Sequence, residues 1–348
     1  MVFYDKTMAQ TLSSFSNPYL RGAAILCLCL AALAPEPAGA VTRSELYQAT
    51  TGVAGRCDSG DSAAFQAAMK TVLVRVTGRR SADEDPGLAP LIVSARRYVQ
   101  QCRSAPDNQL WVAFDGPAIE RWLTQNGQPL WGHERPTTLV LLAVQTGPLS
   151  GTVVTTDDSG ELKTAIDAAA SARGLPLLWP SAAELQRNRL DFAAVNGGAP
   201  TTLAEIGRRI GGEGVLIGRA SGAGATANVR WIQLFQDRSN EYSGTFEGVN
   251  GAADLYAGMF AASGNLVPVD IEVTGVNDLR DYAGVESYLE SLTFISHVSV
   301  ESLSGDTIRF RLATRGGVES LQRALSLNGR LQPLAAGENG IQRFQLHH

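Results

Sequence analysis

Thr138-Leu-Val-Leu-Leu-Ala-Val144 is the stretch of the chain that is most informative about its fold. A continuous apolar run of this length is typical of a central strand that is buried on both faces. The segment after it predicts a helix with one apolar face, formed by Leu162, Ala165, Ile166 and Ala169. A second strand is predicted over residues 175–179. The order strand, helix, strand predicts a βαβ unit with two parallel strands.

The region that contains this unit extends over residues 137–265. Asp158 and Glu161 have the spacing of a capping box at the start of the first helix, and Gly174 predicts its end. Thr202 predicts the start of another helix. The remaining elements are predicted from apolar spacing as strands over 215–217, 229–235 and 242–246, and a helix over 252–262.

Residues 266–348 predict a separate unit at the end of the chain. Apolar residues alternate with polar ones over 267–273 and 308–312, which predicts strands that have one buried face. Helical spacing predicts one helix over 279–292 and another over 318–325. With a strand from Val298 and a last strand over 344–346, the order is βαββαβ. This order is typical of a ferredoxin-like split βαβ domain.

Residues 41–136 predict a small α/β unit that precedes the other two. Apolar residues between Phe65 and Val76 recur at helical spacing, and Gly78 predicts the end of that helix. Leu110–Phe114 predicts a short buried strand, and Asp115 predicts the N-cap of a further helix. The fold class expected for the whole chain is therefore mixed, α+β or α/β, in three small units.

Residues 1–40 have the three parts of a secretory signal peptide. An apolar run over 22–34 follows Arg21, and Ala38-Gly39-Ala40 supplies small residues for cleavage. The run is shorter than the roughly 20 apolar residues of a membrane span. A cleaved leader and a periplasmic product, without a transmembrane span in the mature chain, are therefore expected. An uncleaved anchor is the alternative, and the start could be either Met1 or Met8.

Charge and cysteine content restrict the classes of partner and the compartment. The formal net charge is −5 and the basic residues are scattered, so nucleic acid is not an expected partner. Cleavage of the leader leaves two cysteines, Cys57 and Cys102. In an oxidising compartment we expect them to form one disulfide. Two separate buried thiols are the alternative.

The sequence contains none of the common catalytic motifs. It has no H-E-x-x-H, G-x-S-x-G, S-x-x-K or Walker loop, and the mature chain has no C-x-x-C. No catalytic residue, cofactor or metal site is therefore predicted. The unusual polar cluster is the loop that contains Trp131, His133, Glu134 and Arg135. It could contact a ligand, or Trp131 could fill the space between two domains while Arg135 pairs with a carboxylate.

Several segments of the chain together resemble a family of uncharacterised proteobacterial secreted proteins, DUF2066. They are Trp111-Val-Ala-Phe-Asp115, Trp131-Gly-x-x-Arg-Pro136 with the apolar run after it, Leu73-Val-Arg-Val-Thr-Gly78 and Tyr98-Val-Gln-Gln101. The resemblance covers most of residues 45–265. The pair Cys57 and Cys102 departs from the usual pattern of that family. The resemblance implies export but no activity, cofactor or catalytic residue.

The middle region is similar in its order of elements to a second group of envelope proteins. Leu203-Ala-Glu-Ile-Gly207, then Gly214-Val-Leu-Ile-Gly-Arg219 and two further strands, resemble the N-terminal domain of TolB and domains of the CsgG and LpoB kind. These relatives bind other envelope proteins, so the resemblance implies a protein partner by analogy of fold.

Two functional hypotheses from different classes follow. The first is a non-enzymatic periplasmic module for binding or envelope assembly, with another envelope protein as its partner. The second is an envelope hydrolase with a diffuse site near Asp115, His133 and Glu134, which would require these groups to converge in one cleft. The missing motifs favour the first hypothesis.

Overall fold

The computed structural model describes residues 43–53, 57–58, 62–106, 108–133, 135–148, 150–222, 224–325, 329–337 and 340–347. The predicted leader lies outside the described residues. The described part of the chain has three β-sheets and 11 α-helices, so the mixed α/β class is confirmed. The predicted domain boundaries at residues 136 and 265 stay predictions.

The first sheet contains three antiparallel strands, which are β1 (Gln48–Thr51), β2 (Val99–Ser104) and β3 (Leu110–Phe114). Their order is β1-β3-β2. The helices of this region are α1 (Arg43–Leu46), α2 (Ala63–Thr77), α3 (Ala89–Val93) and α4 (Gly116–Gln125). Leu110, Val112 and Phe114 alternate along β3 and are buried in one apolar core with the inner face of α2. The opposite face of the sheet is not covered by this core.

The two boundary residues that the sequence indicated in this region are confirmed. Gly78 follows α2 with a φ of 72°, and its amide donates to the Val74 carbonyl. A left-handed residue at this position closes a helix without the steric cost of a side chain. Asp115 is the N-cap of α4, and its side chain accepts a hydrogen bond from the Ala118 amide at 3.0 Å.

The central sheet is built around β4 (Thr138–Gln145). The other strands are β5 (Gly151–Val153), β6 (Leu177–Leu178), β7 (Gly214–Ser221), β8 (Asn228–Phe235) and β9 (Arg238–Ser243). Their order is β5-β4-β7-β8-β9, and β6 also pairs with β4. Both β6 and β7 are parallel to β4, so the predicted βαβ unit is confirmed. As expected for a central strand, residues 139–143 are buried on both faces of the sheet.

Five helices accompany this sheet: α5 (Glu161–Arg173), α6 (Ala182–Asn188), α7 (Phe192–Gly197), α8 (Pro200–Ile210) and α9 (Glu247–Phe260). The predicted capping box at the start of α5 is wrong. Gly160 is the N-cap, and the Asp158 carboxylate instead accepts from the Gly160 amide at 2.7 Å. A capping box does occur at α6, between Ser181 and Glu184.

The third sheet contains β10 (Leu266–Thr274), β11 (Ile295–Ser304), β12 (Thr307–Arg315), β13 (Leu331–Leu334) and β14 (Gln342–Leu346). Their order is β11-β12-β10-β14-β13, with β10 and β14 parallel and the other pairs antiparallel. Two helices, α10 (Leu279–Ser291) and α11 (Gly317–Leu325), share a core with one face of this sheet. The sequence pattern did not predict β13.

None of the helices in the described ranges combines the length and the apolar character that crossing a bilayer requires.

Candidate binding cleft around Trp111

The segment between α4 and β4, which we call the linker, connects the first and central sheets and is anchored by Trp131. Its side chain is fully buried, and its amide donates to the Val76 carbonyl at 2.7 Å, in the last turn of α2. The Arg135 guanidinium lies over the indole ring, 3.8 Å from its centroid. An aromatic ring that a cation covers in a desolvated position contributes both packing and electrostatic attraction.

Arg135 is 7% exposed and donates to carbonyl oxygens from three parts of the chain. Within its own segment it bonds to Trp131 and Gly132 at 2.9 and 2.7 Å. Its remaining bonds reach Arg75 in α2 at 2.9 Å, and Arg173 and Gly174 at the end of α5 at 3.2 and 2.9 Å.

The bonds of Arg135 have a clear electrostatic basis. The last carbonyls of a helix lack partners within the helix and carry the negative end of its dipole. One buried cation therefore satisfies carbonyls near the ends of α2 and α5 together. The expected partner of Arg135 was a carboxylate, whereas these five bonds go to the main chain.

A second group of polar contacts joins the end of α2 to α9. Arg173 donates to the Gly78 carbonyl at 2.8 Å and to the Asp254 carboxylate at 2.6 Å. Arg80 binds Asp254 at 2.7 Å and Glu247 at 3.0 Å. Besides the linker, these arginines therefore form a second connection between the first region and the central region.

The residues of the hydrolase hypothesis bond to different elements. Asp115 caps α4, while the His133 Nδ1 lies 3.1 Å from the Thr293 hydroxyl, after α10. Glu134 lies outside the described residues. A hydrolytic site at these three residues stays a prediction. Within the described ranges, no group of three or more His, Cys, Asp or Glu side chains is arranged to hold a metal ion.

Cys57 and Cys102 form a disulfide with a Cα separation of 5.8 Å. The bridge connects the segment before α2 to β2, so it fixes one edge strand of the first sheet. Cys102 pairs in register with Val112 of β3, next to Trp111.

Two open cavities, of about 470 and 510 Å³, lie beside the uncovered face of the first sheet. Trp111 and Gln48 border both cavities. The larger cavity is lined near them by Gln100, Gln101 and Ala113, and the smaller one is bounded by α2 and the end of α5. We call the two cavities together the Trp111 cleft.

The strand pattern explains why Trp111 reaches this cleft. Side chains alternate between the two faces of a strand, so Trp111 lies opposite the buried Leu110 and Val112. In register beside it are Thr50 of β1 and Arg103 of β2. The Arg103 guanidinium lies 4.2 Å from the centroid of the indole ring and covers one of its faces.

The walls of the smaller cavity carry three charged residues, Glu45, Arg75 and Asp167, and side-chain hydrogen bonds hold the last two in place. Arg75 donates to the carbonyls of Glu45 and Gln48, and burial lowers the pKa of its guanidinium. The Asp167 carboxylate accepts from the Trp179 indole nitrogen and from Lys163, both at 2.8 Å. The cleft thus combines an aromatic ring with amide, guanidinium and carboxylate groups.

The linker and the cleft are parts of one arrangement. Arg75 and Gly174 both line the smaller cavity, and their carbonyls both accept hydrogen bonds from Arg135. Arg135 therefore acts as a positioning residue that fixes two walls of the cleft relative to each other. The sequence pattern indicates the linker but not the cleft, because the apolar residues 110–114 predict a short buried strand. All five residues of Leu110–Phe114 are apolar, so no alternation in the sequence distinguishes the two faces of this strand.

Residues 40–132 match the model of a family described as a domain of unknown function, DUF8605. The match ends inside the linker and includes all three strands of the first sheet. No curated protein and no solved structure matches the chain.

Proposed function

We propose that the chain is an exported, non-enzymatic binding module that holds a neutral carbohydrate in the Trp111 cleft. The observation that carries the proposal is the position of Trp111, half-buried on an uncovered sheet face and bordering two cavities. Pockets with an apolar platform and a few converging polar groups are the usual form of a ligand site.

The chemistry of the lining favours a carbohydrate. A sugar ring has a C–H face, which packs against an indole, and a rim of hydroxyl groups that both donate and accept hydrogen bonds. The amides of Gln48, Gln100 and Gln101 also both donate and accept, so they match hydroxyl groups of either orientation. Arg75 and Asp167 add one strong donor and one strong acceptor.

The proposed location is the periplasm. The leader predicted over residues 1–40 supports export, and the disulfide between Cys57 and Cys102 suits an oxidising compartment. The sequence resemblance to DUF2066, and the similarity of the middle region to TolB, CsgG and LpoB, are consistent with an envelope protein and remain part of this proposal.

The proposed organisation is three units, of which the last is ferredoxin-like. Separate apolar cores support this division, one beside the first sheet, two on the two faces of the central sheet and one beside the third sheet. The order β11-β12-β10-β14 supports the ferredoxin-like assignment, whereas the parallel pairing of β10 with β14 departs from the antiparallel sheet of that fold. The additional strand β13 extends that sheet at one edge.

The test is a titration of the purified full chain with two named probes, the trimer of N-acetylglucosamine and maltotriose. We expect one of them to bind with a Kd on the order of 10⁻⁴ M by calorimetry, and Trp111→Ala to weaken it at least about tenfold. Trp122→Phe is the matched control, because Trp122 is a half-buried tryptophan of the same region that does not border the cleft. Failure of both sugars to bind, or equal binding by Trp111→Ala, would contradict the proposal.

A further inference from the structure

Two arginines face each other where α7 and α8 cease to cover the central sheet. Arg219 of β7 and Arg230 of β8 are register partners, so their side chains leave the same face of the sheet. The buried Ile217, two residues before Arg219, lies on this face in one apolar core with residues of α7 and α8. Arg219 is half-buried and Arg230 is exposed, so the cover by the two helices ends at this pair.

Neither arginine of this pair forms an ion pair with a residue in the described ranges. The Arg219 Nη2 donates to the Gly198 carbonyl at 3.3 Å, after α7, and the Arg219 Nε is buried without a partner among the described residues. Arg230 makes no hydrogen bond to any residue that the structure describes. Like charges directly opposite each other on neighbouring strands repel. A bound anion between the two guanidiniums would remove this repulsion and supply the missing acceptors.

The arginine pair borders a cavity of about 210 Å³ near the edge strand β9. Ile232 supplies an apolar wall, and β9 contributes Ser243 opposite Arg230 and Glu241 opposite Ile232. We call this space the arginine-pair cavity. It is smaller than the roughly 300–1,000 Å³ of pockets for drug-sized ligands, so a small molecule fits it and an oligosaccharide does not.

The charges of the arginine-pair cavity are separated along the strands. Glu241 lies opposite Ile232, two residues from the row that contains the arginines, which corresponds to about 7 Å along the strands. Glu241 is exposed and forms no ion pair with a described residue. Its carboxylate repels a doubly charged anion such as a phosphate monoester and attracts an amine. The cavity thus offers two guanidiniums to a carboxylate at one end and a carboxylate to an ammonium group at the other.

We propose that the arginine-pair cavity binds a free amino acid with a short aliphatic side chain. Arg219 and Arg230 hold its α-carboxylate, and Glu241 holds its α-ammonium group. Arginine and glutamate side chains are long enough to reach two groups on the same carbon atom from these positions. Ile232 packs against the aliphatic side chain of the ligand. This inference is independent of carbohydrate binding in the Trp111 cleft, which lies at the first sheet.

The test is an NMR titration of the isotope-labelled full chain with three probes. L-Valine carries both charged groups, 3-methylbutanoate lacks the amine, and 2-methylpropylamine lacks the carboxylate. We expect L-valine to shift amide signals of residues 217–219, 230–232 and 241–243 with a Kd on the order of 10⁻³ M, and each of the other two probes to bind at least about tenfold more weakly. Equal binding of 3-methylbutanoate, or tighter binding of inorganic phosphate, would indicate a site for anions only and overturn the proposal. Absence of these shifts with L-valine would also overturn it.

Matched variants test the role of each charge. Arg230→Gln should weaken L-valine binding at least about tenfold, whereas Arg238→Gln, at an exposed position of β9 that does not line the cavity, should leave it unchanged. Glu241→Gln should weaken the binding of L-valine but not that of 3-methylbutanoate, a difference that general damage to the sheet would not produce. Equal loss in the two arginine variants, or unchanged L-valine binding in Glu241→Gln, contradicts the proposal. Trp111→Ala should leave L-valine binding intact, which separates this result from the carbohydrate test.

Discussion

Arginine has opposite settings in the linker and on the outer face of the third sheet. Arg135 is buried, stacks on Trp131 and donates to five main-chain carbonyls. Arg311 on β12 is half exposed and binds two carboxylates, Asp270 at 2.9 Å and Glu301 at 3.0 Å. The neighbouring Arg309 forms a similar pair with Glu272 at 2.6 Å.

This difference indicates which polar contacts contribute most to the stability of the fold. On the outer sheet face, water can replace either partner of a pair, so each pair contributes little to stability. At the linker the guanidinium is buried, and its loss leaves several buried carbonyls without donors. Hydrogen bonds from the same guanidinium group therefore contribute very differently to stability in the two settings.

The largest expected effect tests the linker directly. Arg135→Met keeps much of the side-chain volume and removes all five donors, and we expect it to lower the free energy of unfolding by about 3–4 kcal/mol. Urea denaturation followed by circular dichroism measures the loss. Arg135→Lys should recover part of it, because one ammonium can satisfy some of these carbonyls. A loss below about 1 kcal/mol in the methionine variant would mean that the contacts of Arg135 contribute no more to stability than the ion pairs on the outer face of the third sheet.

The disulfide provides an intermediate case within the first region. Replacing Cys57 and Cys102 together by serine opens a link between positions 45 residues apart. The chain-entropy model gives a cost of up to about 4 kcal/mol, and measured costs are commonly about 2–4 kcal/mol. Urea denaturation in the absence of reductant measures this cost. If the linker acts independently of the disulfide, the effect should add to that of Arg135→Met within about 0.5 kcal/mol. A clearly non-additive result would show that the disulfide and the hydrogen bonds of Arg135 stabilise the structure cooperatively.

The smallest effect is expected on the outer face of the third sheet. Arg311→Gln should shift the melting temperature by no more than about 2 °C at pH 7. The hydrogen bond from Arg311 lowers the pKa of Asp270 below its ordinary value of 3.8. A lowered carboxyl pKa stabilises the fold above the ordinary value, and this contribution is lost as the pH falls through the lowered one. The difference between wild type and variant should therefore vanish in scanning calorimetry below that pH.

Long, periodic elements of the fold were predictable from local sequence. The helix α2 has a continuous apolar stripe and ends at Gly78, and β4 is apolar throughout. Several short elements were not predictable. The strands β5 and β13 have three and four residues, too few for a period to be visible. The helix α6 has no buried residue, so it shows no apolar stripe.

The linker was predictable as an unusual cluster, because Trp131 and Arg135 stand close together in sequence. The cleft was not predictable, because its walls come from distant segments. Arg75 and Gly174 meet there only through the packing of α2 against α5. No local sequence pattern predicts that these two helices pack against each other. Which face of β3 lies outside the apolar core likewise depends on where the helices pack.

Gly78 also lies at a contact that can form only late in the synthesis of the chain. Its carbonyl accepts from Arg173, and a side chain at this position would place its first carbon 2.2 Å from the Ala257 Cβ, so α2 and α9 approach each other very closely here. Synthesis of the chain delivers α2 and the cysteines of the first region early, but α9 only after the whole central sheet. The apolar surface around Gly78 is exposed throughout that interval. A pause in synthesis before α9 would therefore prolong the period in which this apolar surface is exposed and prone to aggregation.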